Sequence, residues 1–276
     1  MEMACQMALS HLEVPNMKYR HLAISVLLAS IGVAQAAPVT TVASEDFSYG
    51  SPTAGSINLS GLNGGTGWAG AWAGASPATV VGGAMQVAGN SNSLPTTRQL
   101  ATSISRDVLV DFQFTLAAGA IDRNDFLGLW FGNFNGPNIG MKGNCDMSSG
   151  CTSDLFVRTN GSSGAFSTDL SLGGTVRLVG LLEKTGTSNV FNRYSLWVDP
   201  TAEEFDTLTG ADAVYTGSSG LASFSSIGFR SVNLDGGDRL RIDNLKISLI
   251  PEPAALGLLG AAFLGASLAS RRNKKA

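Results

Sequence analysis

The chain has 276 residues, 34 of them glycine, with 18 Lys and Arg against 21 Asp and Glu. Both of its histidines, His11 and His21, precede everything that reads as a folded body, so Ser-His-Asp or Cys-His catalysis and His-ligated zinc or iron are excluded there. The body also lacks any basic run, which excludes nucleic acid as a partner, since binding to phosphates depends on clustered Lys and Arg.

From the N-terminus, Lys18 and Arg20 form a positive region, residues 22–33 an apolar stretch too short to span a bilayer, and Ala34-Gln35-Ala36 a small-residue cleavage site. Residues 17–37 are therefore expected to be a signal peptide cut by signal peptidase after Ala36 or Ala37. Residues 1–16 fit no part of such a leader. They read as an upstream extension with the start at Met17, or, if Met1 is the start, as a long leader head.

Residues 38–250, about 213 in number, suffice for one β-sandwich with a proper core. Setting aside the six basic and three acidic residues of the two ends leaves 12 basic and 18 acidic residues, a net charge of −6. The clearest strand is 108–116, where Val108, Val110, Phe112 and Phe114 alternate with Leu109, Asp111, Gln113 and Thr115. One face is core and the other mostly wet. Further strands are expected at 126–131, 155–157, 176–182, 194–198 and 227–229, separated by turns at Asn135-Gly136-Pro137, Asn160-Gly161, Gly173-Gly174 and Asp235-Gly236-Gly237. Residues 202–205 read as a single helical turn. The final strand, 240–249, changes phase: Leu240 and Ile242 share one parity, Leu245, Ile247 and Leu249 the other, which predicts a β-bulge at Asp243-Asn244.

Cys145 and Cys151 lie in a Gly- and Ser-rich loop, and in an oxidising compartment they read as a local disulfide; a metal site would need more ligands. At the C-terminus, Pro251-Glu252-Pro253 precedes an uncharged run, 254–270, and then Arg271-Arg272-Asn273-Lys274-Lys275. As a helix the run would rise about 25 Å, close to a hydrocarbon core, with the basic flank left in the cytoplasm and the body outside.

This order of triplet, short span and Arg-rich end, in residues 251–276, resembles the PEP-CTERM sorting signal of Gram-negative bacteria. The resemblance implies transient anchoring in the inner membrane through a C-terminal transmembrane helix and cutting by an exosortase near Pro251, Glu252 and Pro253. Delivery to a cell surface or extracellular matrix rich in exopolysaccharide would follow. Arg271 and Arg272 would complete the signal. A plain C-terminal anchor is the alternative reading.

The opening Glu45-Asp46-Phe47-Ser48-Tyr49, the Gly-rich stretch 61–72 and the closing 241–247 resemble the two ends of a concanavalin-like or laminin-G-like domain. That resemblance implies an all-β fold, a single antiparallel jelly-roll β-sandwich, in which first and last strands pair.

Trp68 and Trp72, separated by small residues, either offer rings on which a sugar can stack or plug one end of the sandwich. Trp130 and Trp197 fall within apolar strands and read as core. Asp46 and Asp243 on the first and last strands could share a structural calcium ion with backbone carbonyls, or Asp243-Asn244 could simply stabilise the bulge. No other cofactor is expected. The turn 122–125 reads as a solvated hairpin loop.

Catalysis would have to use carboxylates, yet the body has only Glu45, Glu183, Glu203 and Glu204, and the adjacent last two make a poor acid and base pair. The expectation is therefore a non-enzymatic, exported surface or matrix protein associated with exopolysaccharide, with weak carbohydrate binding. The alternatives are a carboxylate-dependent glycosidase or polysaccharide lyase, and a protein-adhesion module.

Overall fold

The computed structural model describes residues 39–250 apart from 51–54, 75–77, 90–93, 123–124, 145–153 and 162. The segments expected to be a leader and a sorting signal, 17–37 and 251–276, and both Cys145 and Cys151 lie outside the described residues. In chain order the strands are β1 (Thr40–Glu45), β2 (Ile57–Asn58), β3 (Ala78–Val81), β4 (Ala84–Ala88), β5 (Leu94–Ile104), β6 (Val108–Ala118), β7 (Phe126–Phe131) and β8 (Asn138–Lys142). There follow β9 (Leu155–Arg158), β10 (Ala165–Phe166), β11 (Thr175–Glu183), β12 (Arg193–Val198), helix α1 (Ala202–Thr207), β13 (Ala213–Thr216), β14 (Phe224–Val232) and β15 (Arg239–Leu249). Among the described residues no helix is long and apolar enough to cross a membrane.

The strands form two antiparallel sheets. One runs β13-β12-β11-β6-β15-β4-β3-β2, with β1 also on β15; the other runs β10-β9-β8-β7-β14-β5. Period-two patterning explains why they stack. On β6, Val108, Val110, Phe112, Phe114 and Leu116 are buried in the main core while Asp111, Gln113 and Thr115 point away. The facing sheet supplies Leu127, Leu129, Phe131, Ile139, Met141, Leu155 and Val157, and Phe112 meets Phe229 edge-on at 6.5 Å between centroids. The fold is an all-β antiparallel sandwich.

The first and last strands pair, from Thr40 opposite Leu249 to Glu45 opposite Leu245. The phase change in β15 is a bulge: against β6 the register jumps between Asp243 and Lys246, and Asn244 takes a left-handed conformation at φ 54°. Asparagine tolerates that region better than most side chains. Leu240, Ile242, Leu245 and Ile247 consequently all face the core. The bulge sits where β15 changes its lateral neighbour, from β4 at Arg239–Ile242 to β1 at Leu245–Leu249.

Helix α1 matches the expected single turn of helix and is closed by a capping box, Thr201 with Glu204. It lies against a second, small apolar cluster of Leu109, Val179, Leu181 and Trp197, with Phe205 and Leu208 packed onto it. Trp197 is thus buried on the outer face of the larger sheet, not in the main core, and donates its indole N–H to the Thr209 carbonyl at 2.7 Å.

At one edge the two sheets are tied by a buried ion pair between Glu45, which ends β1, and Arg98 on β5. Glu45 Oε1 accepts the Phe47 N–H at 2.8 Å, and Oε2 accepts the Tyr49 hydroxyl at 2.6 Å and the Trp72 indole N–H at 3.4 Å. Arg98 donates from Nε to the Gly70 carbonyl at 2.9 Å and from Nη2 to Asn63 Oδ1 at 2.9 Å and the Gly64 carbonyl at 2.7 Å. The Gly-rich segment is therefore stitched between the sheets, with Ser44 and Thr66 exchanging backbone hydrogen bonds and Ala73 and Thr97 doing the same. Glycine is required at 65 and 67: both have positive φ, and a Cβ would stand 2.1 Å from the Ser44 oxygen or 1.9 Å from that of Val42.

Removing one partner of such a buried pair strands the other, at a cost of about 3–5 kcal/mol. Arg98→Ala and Glu45→Ala are each expected to lower unfolding free energy by that order in urea titrations. The double variant should lose clearly less than the sum of the two.

Candidate functional site

The burial pattern of β7, β8 and β9 departs from one-sided alternation, because both faces of these strands are largely covered. Their core-facing residues have been described; those of opposite parity form a separate layer on the outside of the six-stranded sheet. Register places them in rows. Gly228, Trp130, Asn138 and Arg158 stand side by side across β14, β7, β8 and β9. The next row is Arg230, Gly128, Gly140, Phe156 and Phe166, and Phe126 pairs with Lys142 beyond it.

The glycines set the shape of this layer. A Cβ at Gly228 would stand 2.4 Å from the Trp130 ring, and one at Gly128 would stand 2.8 Å from the Phe126 ring. Both rings therefore lie down over bare backbone instead of standing up from the sheet. Phe126 and Phe156 are 5.6 Å apart, Phe156 and Phe166 5.9 Å. Two cations converge on Phe126: the Arg158 guanidinium lies 5.1 Å from the ring centroid and that of Arg230 6.0 Å. Arg230 also lies 5.1 Å from Phe134, whose ring is 46% exposed in the β7–β8 turn, and Lys142 lies 5.8 Å from Phe166.

The floor of the layer is buried and the rim, made of Phe134, Arg230, Lys142 and Phe166, is partly or fully exposed. Within the floor the indole N–H of Trp130, the side-chain oxygen of Asn138 and Nε of Arg158 have no hydrogen-bond partner. Burial, followed by the nearby charge of Arg230, pushes Arg158 down to about 10. Ion pairs among the described residues join Arg98 to Glu45, Arg177 to Asp111 and Arg193 to Glu183, and Arg158 is in none of them. Trp130, expected in the main core, belongs instead to this outer layer.

The residues singled out in the sequence fall elsewhere. Trp72 is only 1% exposed, stacked on Phe47 at 6.0 Å and near Phe229 at 6.2 Å, so it fills the edge of the sandwich and presents no free face. Trp68 is half-buried, its indole N–H bonded to the Ser44 carbonyl at 2.9 Å and its ring 4.7 Å from the Arg98 guanidinium. Both indoles serve the ion pair that ties the sheets. A sugar stacking on them would have to displace it.

Asp46 and Asp243 are brought together by the pairing of β1 with β15. Burial and then the Asp46 carboxylate raise Asp243, while the Asn244 N–H, bonded to Asp243 Oδ1 at 2.7 Å, opposes the rise. Asp46 is exposed and accepts from Ser48 N at 3.1 Å. Two carboxylates fall short of the six to eight oxygens calcium takes, and no group of three or more His, Cys, Asp or Glu able to hold a metal occurs among the described residues.

The body's glutamates have structural partners where the geometry is clear. Glu45 holds Arg98, Glu183 lies 3.5 Å from Arg193, and Glu204 caps α1. Asp122 and Asp125 form a tight turn, not a solvated one at its end: Asp125 is fully buried and its Oδ2 accepts the Asp122 N–H at 2.8 Å.

No family model matches this sequence, and no curated protein does. Similar solved structures include the Emp47p carbohydrate recognition domain, at 12% identity over 76% of this chain and 96% of that one with a TM-score of 0.47. The metal-free VIP36 exoplasmic/lumenal domain is similar at 10% identity over 78% and 95%, TM-score 0.47. The carbohydrate binding module CBM66 from Bacillus subtilis is similar at 15% identity over 70% and 98%, TM-score 0.41.

Buried carboxyls give the fold a pH dependence. Burial pushes Asp125 up to about 7, with the charges of Asp122, Asp238 and Asp235 adding to it against the Asp122 N–H. It pushes Asp154 up to about 6, with Asp169 adding and the Leu170 N–H opposing. The folded state thus holds protons that the unfolded chain releases near pH 4, and this contribution to stability is complete below pH 4 and lost as pH rises through 6 to 7. Melting temperature is expected to fall between pH 5 and pH 8, and Asp125→Asn and Asp154→Asn should each flatten that fall in a calorimetric series.

Proposed function

We propose that this chain is an exported, non-enzymatic surface or matrix protein that binds exopolysaccharide weakly through the outer face of its six-stranded sheet. In this reading residues 17–37 direct export and signal peptidase removes them. The segment 254–270 holds the body at the inner membrane of a Gram-negative cell, and an exosortase cuts near Pro251-Glu252-Pro253. The jelly-roll body then stays in the polysaccharide layer.

The observation that carries the reading is the rim of this layer, where the 46%-exposed ring of Phe134 stands 5.1 Å from the Arg230 guanidinium and Lys142 lies 5.8 Å from the half-buried Phe166 ring. Carbohydrate sites combine aromatic surface with a few placed polar groups, because a sugar ring has an apolar face and a polar edge. The exposed ring of Phe134 extends the platform at the rim.

Two measurements test this. The full chain, applied to a panel of immobilised polysaccharides, is expected to bind at least one and to release no reducing sugar from it. Phe134→Ala, at an exposed turn position, should weaken that binding without lowering the melting temperature. Binding to none of the panel would reject the reading. Separately, mass spectrometry of protein recovered from the surface of the native host is expected to lack residues 1–36 and the Arg271–Ala276 tail. An intact basic tail on surface protein would reject exosortase sorting.

A further inference from the structure

We propose that, while the chain is anchored, the end of the sandwich from which β15 leaves lies against the phospholipid headgroups on the side of the membrane away from the cytoplasm; this rests on the anchoring part of the reading above.

The length of the connection carries the inference. Ile250 has no slack: its N–H bonds the Asp107 carbonyl at 3.1 Å, and its side chain packs onto the cluster of Leu109, Val179, Leu181 and Trp197. Leu249, just before it, is paired with Val108 on one side and Thr40 on the other. The uncharged run begins at Ala254, so Pro251, Glu252 and Pro253 are the whole tether. As a helix that run rises about 25 Å, already short of a hydrocarbon core of about 30 Å, which leaves no apolar residue to lengthen the tether. Fully extended, the chain from Ile250 to Ala254 reaches at most about 14 Å. The headgroup layer on one side of a bilayer takes up about 5–8 Å of that. What remains is about one Debye length at physiological salt, so the exit end stays within electrostatic reach of the headgroups however the tether bends.

Hydrogen bonds define what that end consists of. Asp107 Oδ1 accepts the Lys184 N–H at 2.9 Å, and Lys184 Nζ donates to the carbonyls of Ser105 at 2.8 Å and Ala222 at 2.6 Å. The Phe191 N–H bonds the Leu221 carbonyl at 2.9 Å. The loops 105–107, 184–192 and 217–223 therefore form one surface around the exit. Its exposed positions are Ser, Thr, Asn, Gly or Ala, with Arg106 the exception. Hydroxyls, an amide and a guanidinium are donors that a phosphate accepts. The one carboxylate of these loops, Asp107, is half-buried and engaged by Lys184. Val39, 40% exposed, precedes the Thr40 that pairs with Leu249, so an apolar side chain also emerges here. The amine left by signal peptidase, one or two residues earlier, adds a positive charge.

The opposite end has the contrary character. β6 and β15 run antiparallel from Val108 opposite Leu249 at the exit to Ala118 opposite Arg239 at the far end. There the loops 119–125 and 233–238 bring Asp122, Asp125, Asp235 and Asp238 near enough to act on one another's charge, and their described residues include no Lys or Arg. The acids of α1 stand on the outer face of the larger sheet. A phosphate-bearing surface repels the far end and accepts the exit end, which sets the tilt that the tether alone leaves open. Once the triplet is cut, Arg106 and the amine are all that hold a body of net charge −6 to such a surface, so the contact ends with the tether.

The test uses the chain purified from the membranes of a Gram-negative host without an exosortase, so that the leader is removed and the anchor kept. It is reconstituted into vesicles of phosphatidylcholine and phosphatidylglycerol, and flotation reports anchoring. Amide hydrogen exchange is then compared with that of a variant carrying a Gly/Ser linker of about 20 residues between Ile250 and Pro251, whose ends average about 25 Å apart. The native chain is expected to exchange about threefold or more slowly at 105–107, 184–192 and 217–223, and equally at 119–125 and 233–238. Arg106→Glu without the linker should remove part of that difference at an unchanged melting temperature. Equal exchange at the exit loops of the two floating chains, or slowing confined to the far end, would overturn the inference and leave the anchor standing. A chain that does not float would overturn the anchor and the inference together.

Discussion

The ion pair between Glu45 and Arg98 is the constraint on which the arrangement of the sandwich depends. One partner ends the first strand of the larger sheet and the other sits on the edge strand of the smaller, so the contact fixes how the sheets meet at that edge. Two charges taken out of water are a liability unless their remaining hydrogen-bonding capacity is met. Here the Gly-rich segment meets it, supplying Asn63, two carbonyls and the Trp72 indole. Tyr49 completes the shell, and burial together with Glu45 pushes its phenol up to about 12, so it remains a donor at any pH the protein meets. The same network requires glycines at 65 and 67, because the segment must cross the β1 backbone in direct contact. Composition that reads as loop is in fact the seam.

A second consequence follows from β1 and β15 lying side by side. The last strand has to serve two lateral neighbours in succession, β4 and then β1, and the Asp243-Asn244 bulge is where it changes from one to the other. The bulge shifts the side-chain phase by one, which keeps Leu240, Ile242, Leu245 and Ile247 in one core. Asp243 and Asp46 approach each other as a by-product of that pairing. Their proximity has a topological cause and needs no shared ion to explain it.

The smaller sheet is organised by contrast between its faces. Its inner face is a conventional core layer, whereas its outer face mixes large rings, glycines and two guanidiniums. An outer face meant only for water would carry short polar residues, as β6 does at Gln113 and Thr115. The rings of this face are buried, and an indole N–H, an amide oxygen and an Arg Nε among them have no hydrogen-bond partner, which costs stability. That imbalance is the physical basis for reading the face as a place for a ligand.

Much of the fold was written in local pattern. Period-two alternation marked β6, short apolar runs marked β7, β9, β11 and β12, and the parity change in 240–249 located a bulge to the residue, because side-chain direction in a strand is set by position alone. β5 was not legible: Leu94–Ile104 is largely polar, and its place in the sheet comes from backbone pairing with β14 and from the Glu45 contact of Arg98. The candidate site was misplaced for a related reason. Trp68 and Trp72 stand out in a Gly-rich stretch, but a lone sequence cannot show that a carboxylate 27 residues before Trp72 binds its indole. The run at 126–131 announced burial on both sides without saying that one side was the core and the other a separate layer. Sequence by itself determined β6, β7, β9, β11, β12 and β15 as strands, the bulge in β15 and the absence of imidazole chemistry in the body, all of which are properties of residues near one another in the chain. Which face holds Trp130, Arg158 and Arg230 together was decided only by tertiary structure, since register across β14, β7, β8 and β9 unites residues that the chain keeps far apart, 102 positions in the case of the paired Arg230 and Gly128.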